Sequence, residues 1–268
     1  MACSLRRRNR TGCADSPPRP SSVSAVHAST GPAAVGVVLA AGMGTRVGAD
    51  GNKAYLPLAG RSMVAWSVDA VADAPGIGRT VLVYRRGERE LAARTVAAEV
   101  RCRTVELVEG GDTRHGSEWN VLRYLSDDIE AGSVGLVLIH DAARPLAGCD
   151  MMHAALTTAD EFGGAIPGLA ARDVVREDGP EAFHAVAGTL VRVQTPQAFR
   201  AAPLLAAYRA AAAEGFDGTD TSACMQRFTD VDVHVFPGAA TNLKVTFGHD
   251  VALASHLLAR RAEHPGRP

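Results

Sequence analysis

The sequence predicts an α/β fold: a mainly parallel, doubly wound sheet with helices on both faces and a projecting β-hairpin arm. Three observations predict it. From Val35 onward, short apolar runs alternate with longer amphipathic ones, which is the rhythm of strand–helix–strand crossovers. The first apolar run leads directly into a glycine-rich basic loop within Leu39–Leu58, and such sheets hold phosphates at that point. One segment, about 169–193, breaks the rhythm and contains Asp178-Gly179, a strong hairpin turn signal.

Taken in order, VGVVLA (35–40), RTVLVY (79–84), RTVEL (103–107) and VGLVLIH (134–140) read as strands. Their branched apolar runs are short and bounded by turn residues. Between them SMVAWSVDAVAD (62–73), GERELAARTVAAEV (87–100), SEWNVLRYLSDDI (117–129) and DMMHAALTTADEF (150–162) read as helices. Ser62 and Asp150 are the expected N-caps, since their side-chain oxygens can accept orphan amide hydrogens. After GGAIPG and the excursion come a strand at TLVRV (189–193), a helix at 202–215, a short helix at 222–228, a strand at 231–236 and a closing helix from His249. One domain over 33–262 is expected, with tails at 1–32 and 263–268. Residues 1–32 are rich in Arg, Ser and Pro with one acid, Asp15. They read as a disordered tail, a transit segment or the product of an early start assignment.

The chain has 268 residues, 47% of them hydrophobic, and a formal net charge of -1. That composition is ample for a buried core, and the near-zero charge argues against a nucleic-acid or membrane-surface partner. No apolar stretch reaches membrane-span length and no secretory signal is apparent, so a cytoplasmic protein is expected. Cys3, Cys13, Cys102, Cys149 and Cys224 show neither CxxC pairs nor nearby histidines, and are read as reduced thiols.

The glycine-rich loop carries most of the functional information. Gly42 and Gly44 let the backbone turn and bring amide hydrogens against an anion, while Arg46 and Lys53 supply positive charge where a triphosphate would lie. A dinucleotide fingerprint is disfavoured because Val47 holds the place of its third glycine and Asp69 falls inside a helix pattern rather than at a strand end. No Gly-Lys-Ser/Thr is present near the loop, which excludes a Walker motif. Three further segments fall at expected strand ends or near the close: GGDTRHGS (110–117), HDAARP (140–145) and NLKVT (242–246). In the first, Gly111 permits close backbone approach, and Asp112 and Ser117 offer groups that can read a base or sugar. In the second, Asp141 ends an apolar strand, where a carboxylate can hold Mg²⁺ with several waters retained, and Arg144 can order the loop or meet a second anion.

These segments, in the order AAGMGTR, NKAYLPL, GGDTRHGS, HDAARP, QTPQAF and NLKVT, resemble the family of cytidylyltransferases that act on 2-C-methyl-D-erythritol 4-phosphate, over nearly the whole span Val35–Leu258. Relatives that use ribitol 5-phosphate share most of the set. The resemblance implies a Rossmann-like nucleotidyltransferase fold. CTP would lie on Leu39, Ala40, Ala41, Gly42 and Gly44, with Gly111, Asp112 and Ser117 recognising cytosine and Asp141 binding magnesium near the ribose. Arg46, Lys53 and Lys244 match the family's catalytic cations, and a homodimer through the hairpin arm is implied. Arg144, Asp173, Thr219 and Arg192 are the expected contacts of the acceptor, a sugar-alcohol phosphate. The chain departs from the family at Ala187, where an arginine from the hairpin normally clamps the acceptor phosphate, and at Val174, which replaces a threonine. Arg192, Arg172 or Arg176 are the candidate substitutes. Two alternatives stay open at this point: a paralogue with another polyol phosphate, and a nucleotide-binding protein without turnover.

Overall fold

The computed structural model describes residues 33–42, 51–101, 104–171, 174–177, 183–185 and 190–263. In chain order they form β1 (Ala33–Leu39), the two-residue strands β2 (Pro57–Leu58) and β3 (Arg61–Ser62), α1 (Met63–Ala72), β4 (Ile77–Tyr84), α2 (Arg89–Glu99) and β5 (Glu106–Glu109). Next come α3 (Arg114–Tyr124), α4 (Ser126–Glu130), β6 (Val134–Asp141), α5 (Cys149–Phe162) and β7 (Gly164–Ala170). The chain continues with β8 (Val175–Glu177), β9 (Phe183–Ala185), β10 (Val191–Val193), β11 (Gln197–Arg200), α6 (Ala201–Glu214), α7 (Thr221–Phe228), β12 (Val233–Pro237) and α8 (Gly248–Glu263).

An eight-stranded sheet organises these elements. β1 sits between β6 and β4, parallel to both, and β5 continues the parallel run beyond β4. On the other side β11 runs antiparallel to β6 and to β7, β10 runs antiparallel to β7, and β12 closes the edge parallel to β7. The expected mainly parallel sheet is therefore observed with an antiparallel insertion at β10 and β11.

Strand β1 reads as a continuous apolar run because both of its faces are covered. Val38, Leu82 and Leu138 pack on one face with Val64 and Val68 of α1 and Met152 of α5. Val35, Val37, Val81 and Ile139 pack on the other with Val121 and Leu122 of α3 and Leu204 and Tyr208 of α6. Gly36 sets how close α1 comes: a Cβ there would meet Val71 Cγ1 at 2.2 Å, far inside van der Waals contact.

Several sequence-based boundaries change. Ser62 caps α1 as expected, its Oγ accepting from Ala65 N at 3.2 Å. Asp150 does not cap α5: the helix begins at Cys149 after Gly148, which places Asp150 in the first turn, where a carboxylate still complements the helix dipole. The helix expected at 117–129 begins earlier, at Arg114, because Thr113 Oγ1 accepts from Gly116 N at 2.9 Å, and it divides at Leu125 into α3 and α4. The expected hairpin is present as an antiparallel pair, β8 with β9, in register Val175↔Ala185 and Glu177↔Phe183. Its Asp178-Gly179 turn lies outside the described residues. The closing helix reaches Glu263, one residue into the expected tail. Residues 1–32 and 264–268 lie outside the described residues, as do Cys3, Cys13 and Cys102, while Cys149 and Cys224 are free thiols. Among the described residues no helix is long and apolar enough to cross a membrane.

Asp69, which a dinucleotide site would have needed at a strand end, instead fastens α1. It is 2% exposed and accepts from Arg61, from Arg101 Nε at 2.8 Å and from Arg101 N at 2.8 Å. Burial pushes its carboxyl up, but the bonds from Arg61 and Arg101 outweigh burial and hold it below the usual carboxylate range. A depressed folded pKa contributes stability that is present above the unfolded value and lost as pH falls through the folded one. Asp69→Asn should therefore lower stability at pH 7 by about 2 kcal/mol, a discounted figure because Arg101 is largely exposed. Urea unfolding should also show a weaker loss of stability below about pH 4 in the variant than in the parent.

Candidate functional site

A cavity of about 360 Å³ opens where β1, β5 and β6 end, the expected position for ligands in an open α/β sheet. Four segments far apart in sequence meet around it: Leu39–Gly42, Asn52–Ala54, the turn at 111–117 and Asp141–Ala143, with Lys244 closing one side. Ten of the residues singled out from sequence line this cavity: Leu39, Ala40, Ala41, Gly42, Lys53, Gly111, Asp112, Ser117, Asp141 and Lys244. Gly44 and Arg46 belong to 43–50, which lies outside the described residues, and so does Asp173.

Lys53 is placed by the residue before it. Asn52, 7% exposed, accepts from Ala54 N at 3.0 Å and so caps the single 3₁₀ turn that carries Lys53. Its amide nitrogen donates to Ala40 O at 2.7 Å and to Glu88 Oε2 at 2.8 Å, which ties that turn to the end of β1. Lys53 Nζ donates to Val245 O at 3.0 Å, next to Lys244. Both lysines are thereby brought to one end of the cavity although 190 positions of sequence lie between them.

The turn after β5 is held by Ser117. Its buried hydroxyl accepts from Gly111 N at 3.1 Å and donates to Thr113 O at 2.9 Å. The oxygen expected to meet a base thus also braces the turn that frames the cavity. Gly111 is required by close approach, since a Cβ would fall 2.7 Å from the backbone carbon of Gly116. Asp112 stands at the rim, its side chain 91% exposed and 3.8 Å from Arg86 Nη1.

Asp141 is the electrostatic centre. Its Oδ2 accepts from Lys244 Nζ at 2.6 Å and its Oδ1 from Arg114 Nε at 3.3 Å. Burial pushes this carboxyl up, but the charges of Arg114, Lys244 and Arg144 outweigh burial and hold it well below the usual carboxylate range. The backbone around it is equally well held. Asp141 N donates to Thr195 Oγ1 at 3.1 Å. His140 Nε2 lies 3.1 Å from Arg144 O, a carbonyl that can only accept, so this nitrogen carries the proton and Nδ1 accepts from Thr195 Oγ1 at 3.2 Å. Burial lowers His140 to about 4, consistent with a neutral ring.

Arg144 orders the neighbouring loop, Nη1 donating to Asn242 O at 2.7 Å, and does not line the cavity. Buried Asn242 donates to Thr195 O at 2.9 Å, and Asp250 accepts from Thr246 N and Phe247 N, each at 2.8 Å, so the backbone either side of Lys244 is fastened. Thr219 is exposed beside the Asp220 cap of α7, and Arg192 lies on β10. Neither lines the cavity. Val174 is exposed, the side chain of Arg176 is not among those described, and Arg172 and Ala187 lie outside the described residues.

Sequence reasoning missed Arg114, Asn52 and Glu118. Arg114 lines the cavity and bridges Asp141 to buried Glu118, with Nη1 2.5 Å from Glu118 Oε1. Its signal was present as an Arg-Glu pair four apart at the start of a helix, but an identical spacing marks ordinary surface pairs.

Comparisons with known proteins agree over this architecture. The family model described as 2-C-methyl-D-erythritol 4-phosphate cytidylyltransferase matches residues 34–260. A protein of that name from Solibacter usitatus is 38% identical over 240 residues, covering 84% of this chain and 96% of that protein. One from Cereibacter sphaeroides is 38% identical over 233 residues, covering 84% and 97%. Among solved structures, the 4-diphosphocytidyl-2C-methyl-D-erythritol synthase of Anaerococcus prevotii superposes with a TM-score of 0.74 at 25% identity, covering 85% of this chain and 97% of that one. The 2-C-methyl-D-erythritol 4-phosphate cytidylyltransferase of Thermus thermophilus superposes at 0.63 with 29% identity, covering 84% and 98%.

Proposed function

Because the chain belongs to the 2-C-methyl-D-erythritol 4-phosphate cytidylyltransferase family, we propose that it transfers CMP from CTP to 2-C-methyl-D-erythritol 4-phosphate, releasing pyrophosphate, in isoprenoid synthesis. The observation that carries this reading is the convergence of Lys53, Lys244 and Asp141 on one cavity at the carboxyl ends of the strands. CTP lies along Leu39–Gly42 and Gly44 with its base toward Gly111, Asp112 and Ser117. An acceptor phosphate oxygen attacks the α-phosphorus in line, the new P–O bond forming as the bond to pyrophosphate breaks. Such a transfer is mostly positioning and charge neutralisation, and Lys53, Lys244 and Arg46 supply the charge.

Magnesium belongs to the proposal. Among the described residues no group of three or more His, Cys, Asp and Glu could hold a metal, and Asp141 is the one carboxylate named for that role. Both of its oxygens already face cations. This donor set fits an ion that takes most of its ligands from nucleotide phosphates and water, as Mg²⁺ does, with Asp141 as the protein group that would reach it. When bound, the ion supplies charge neutralisation on the triphosphate.

Arg144, Asp173, Thr219 and Arg192 remain the proposed acceptor contacts, with Arg192 standing in for the clamp absent at Ala187. Arg192→Ala should raise the acceptor KM about 10-fold or more with kcat nearly constant, the pattern of lost uniform binding. Unchanged KM would remove Arg192 from that role. A homodimer through the hairpin is also proposed; β8 and β9 form a ladder separate from the main sheet, which leaves them available as an arm. A cytoplasmic location and the absence of nucleic-acid and membrane partners complete the reading.

The reading is tested by pyrophosphate release from CTP and Mg²⁺ with methylerythritol phosphate, with ribitol 5-phosphate and without acceptor. Fast release confined to methylerythritol phosphate is the expected result. Release confined to ribitol 5-phosphate would assign the paralogue function, and CTP binding without release would indicate a nucleotide-binding protein.

A further inference from the structure

Glu118 is a carboxylate with no exposed side-chain surface, one helical turn after Arg114 on α3. Every group that meets it can donate: Arg114 Nη1 at 2.5 Å and Thr221 Oγ1 at 2.5 Å to Oε1, and the Tyr208 hydroxyl to Oε2. Three elements, α3, α6 and α7, thus converge on one buried acid. Arg114 divides its donors, placing Nε on Asp141 Oδ1 and Nη1 on Glu118, while Nη2 has no hydrogen-bond partner among the described residues.

We propose that Glu118 is a positioning residue for the transfer: it holds the Arg114 guanidinium so that Arg114 takes one oxygen of Asp141 and leaves the other to Lys244. This inference rests on the functional reading above. An arginine fork favours bidentate capture of a carboxylate. Released from Glu118, Arg114 is free to take both oxygens of Asp141 and displace Lys244 from the 2.6 Å contact that fixes its ammonium beside the cavity. Burial, helped by the nearby Asp141 charge, outweighs the pull of Arg114, Thr221 and Tyr208 and holds the Glu118 carboxyl above its usual range. With its ring of donors intact, Glu118 serves as the fixed anchor. Thr221 offers a check on the mechanism, since its Oγ1 lies 3.4 Å from Arg114 Nη1. An aspartate there extends one bond further toward the same guanidinium.

The test compares the full-length parent with E118Q, E118V and E118V combined with T221D. Pyrophosphate release is measured with methylerythritol phosphate and with ribitol 5-phosphate, and Tm in parallel. E118Q keeps the volume and should lose about 10- to 100-fold in kcat, the cost of misplacing a group that acts on the reacting centre, with the KM for CTP within about 3-fold. T221D should restore most of the kcat lost in E118V, which a packing role for Glu118 would not produce. An E118Q kcat within about 2-fold of the parent, or a folded E118V/T221D with no recovery, overturns the inference alone. No turnover by the parent with either acceptor overturns the functional reading and this inference with it.

Discussion

Lys53→Ala is expected to lower cytidylyl transfer by about 10²- to 10³-fold, the range seen when one preorganised donor to developing charge is removed. CTP affinity should fall much less, because the glycine turn and the 111–117 turn remain to hold the nucleotide. The structure makes this a clean substitution. The backbone of Lys53 is set by Asn52, which caps the turn and binds Ala40 O and Glu88 through its own side chain, so shortening Lys53 leaves the turn in place. Its bond to Val245 O is lost, but that segment is still held by Val245 N donating to Ala143 O at 2.8 Å and by the Asp250 cap. Single-turnover pyrophosphate release gives the chemical step and calorimetric titration gives CTP binding. Full turnover in the variant would remove Lys53 from the chemistry.

Asp141→Asn is expected to damage both fold and rate. In the parent one carboxylate balances Lys244 and Arg114, with Arg144 close enough to be felt. An amide of the same shape leaves Lys244 without its counter-charge and Arg114 with Glu118 alone, and removing one partner of a buried ion pair typically costs about 3 kcal/mol or more. Thermal or urea unfolding at neutral pH should register that loss. Turnover should fall by about 10²-fold or more, since Lys244 loses the anion that fixes its ammonium beside the cavity. Normal stability together with normal turnover would show that Lys244 and Arg114 are positioned by something other than Asp141.

The glycines, Lys53 and the strand-end aspartate could be read directly because each carries its chemistry in residue type and local spacing, whereas Lys244 was reached through the family resemblance. Gly111 is needed where a Cβ would strike the backbone of Gly116, and Asp141 follows an apolar strand that can only be buried. Arg114, Asn52 and Glu118 were not legible for the opposite reason. A buried Arg-Glu pair and an exposed one look alike four residues apart on a helix. Only the arrival of Tyr208 from α6 and Thr221 from α7 makes this one internal. The acceptor side was the least legible region: of the two roles open to Arg144, its bond to Asn242 O supports the ordering of the loop, and Arg192 and Thr219 do not line the cavity.

Apolar periodicity and the order of short motifs were enough for the α/β class, the parallel core, the phosphate loop and the family, because these depend on local burial and on residue types that tolerate few substitutes. The path of the sheet was a tertiary decision. β11 enters antiparallel between β6 and β7, β10 pairs antiparallel with β7, and β12 returns to pair parallel with β7. Long-range hydrogen bonding chooses those partners, and nothing in a short apolar run names its neighbour. The same holds for the charge balance at Asp141. A carboxylate's partners and pKa depend on what lies within a few ångströms of it, and Arg114 and Lys244 come within that range only when the chain has folded.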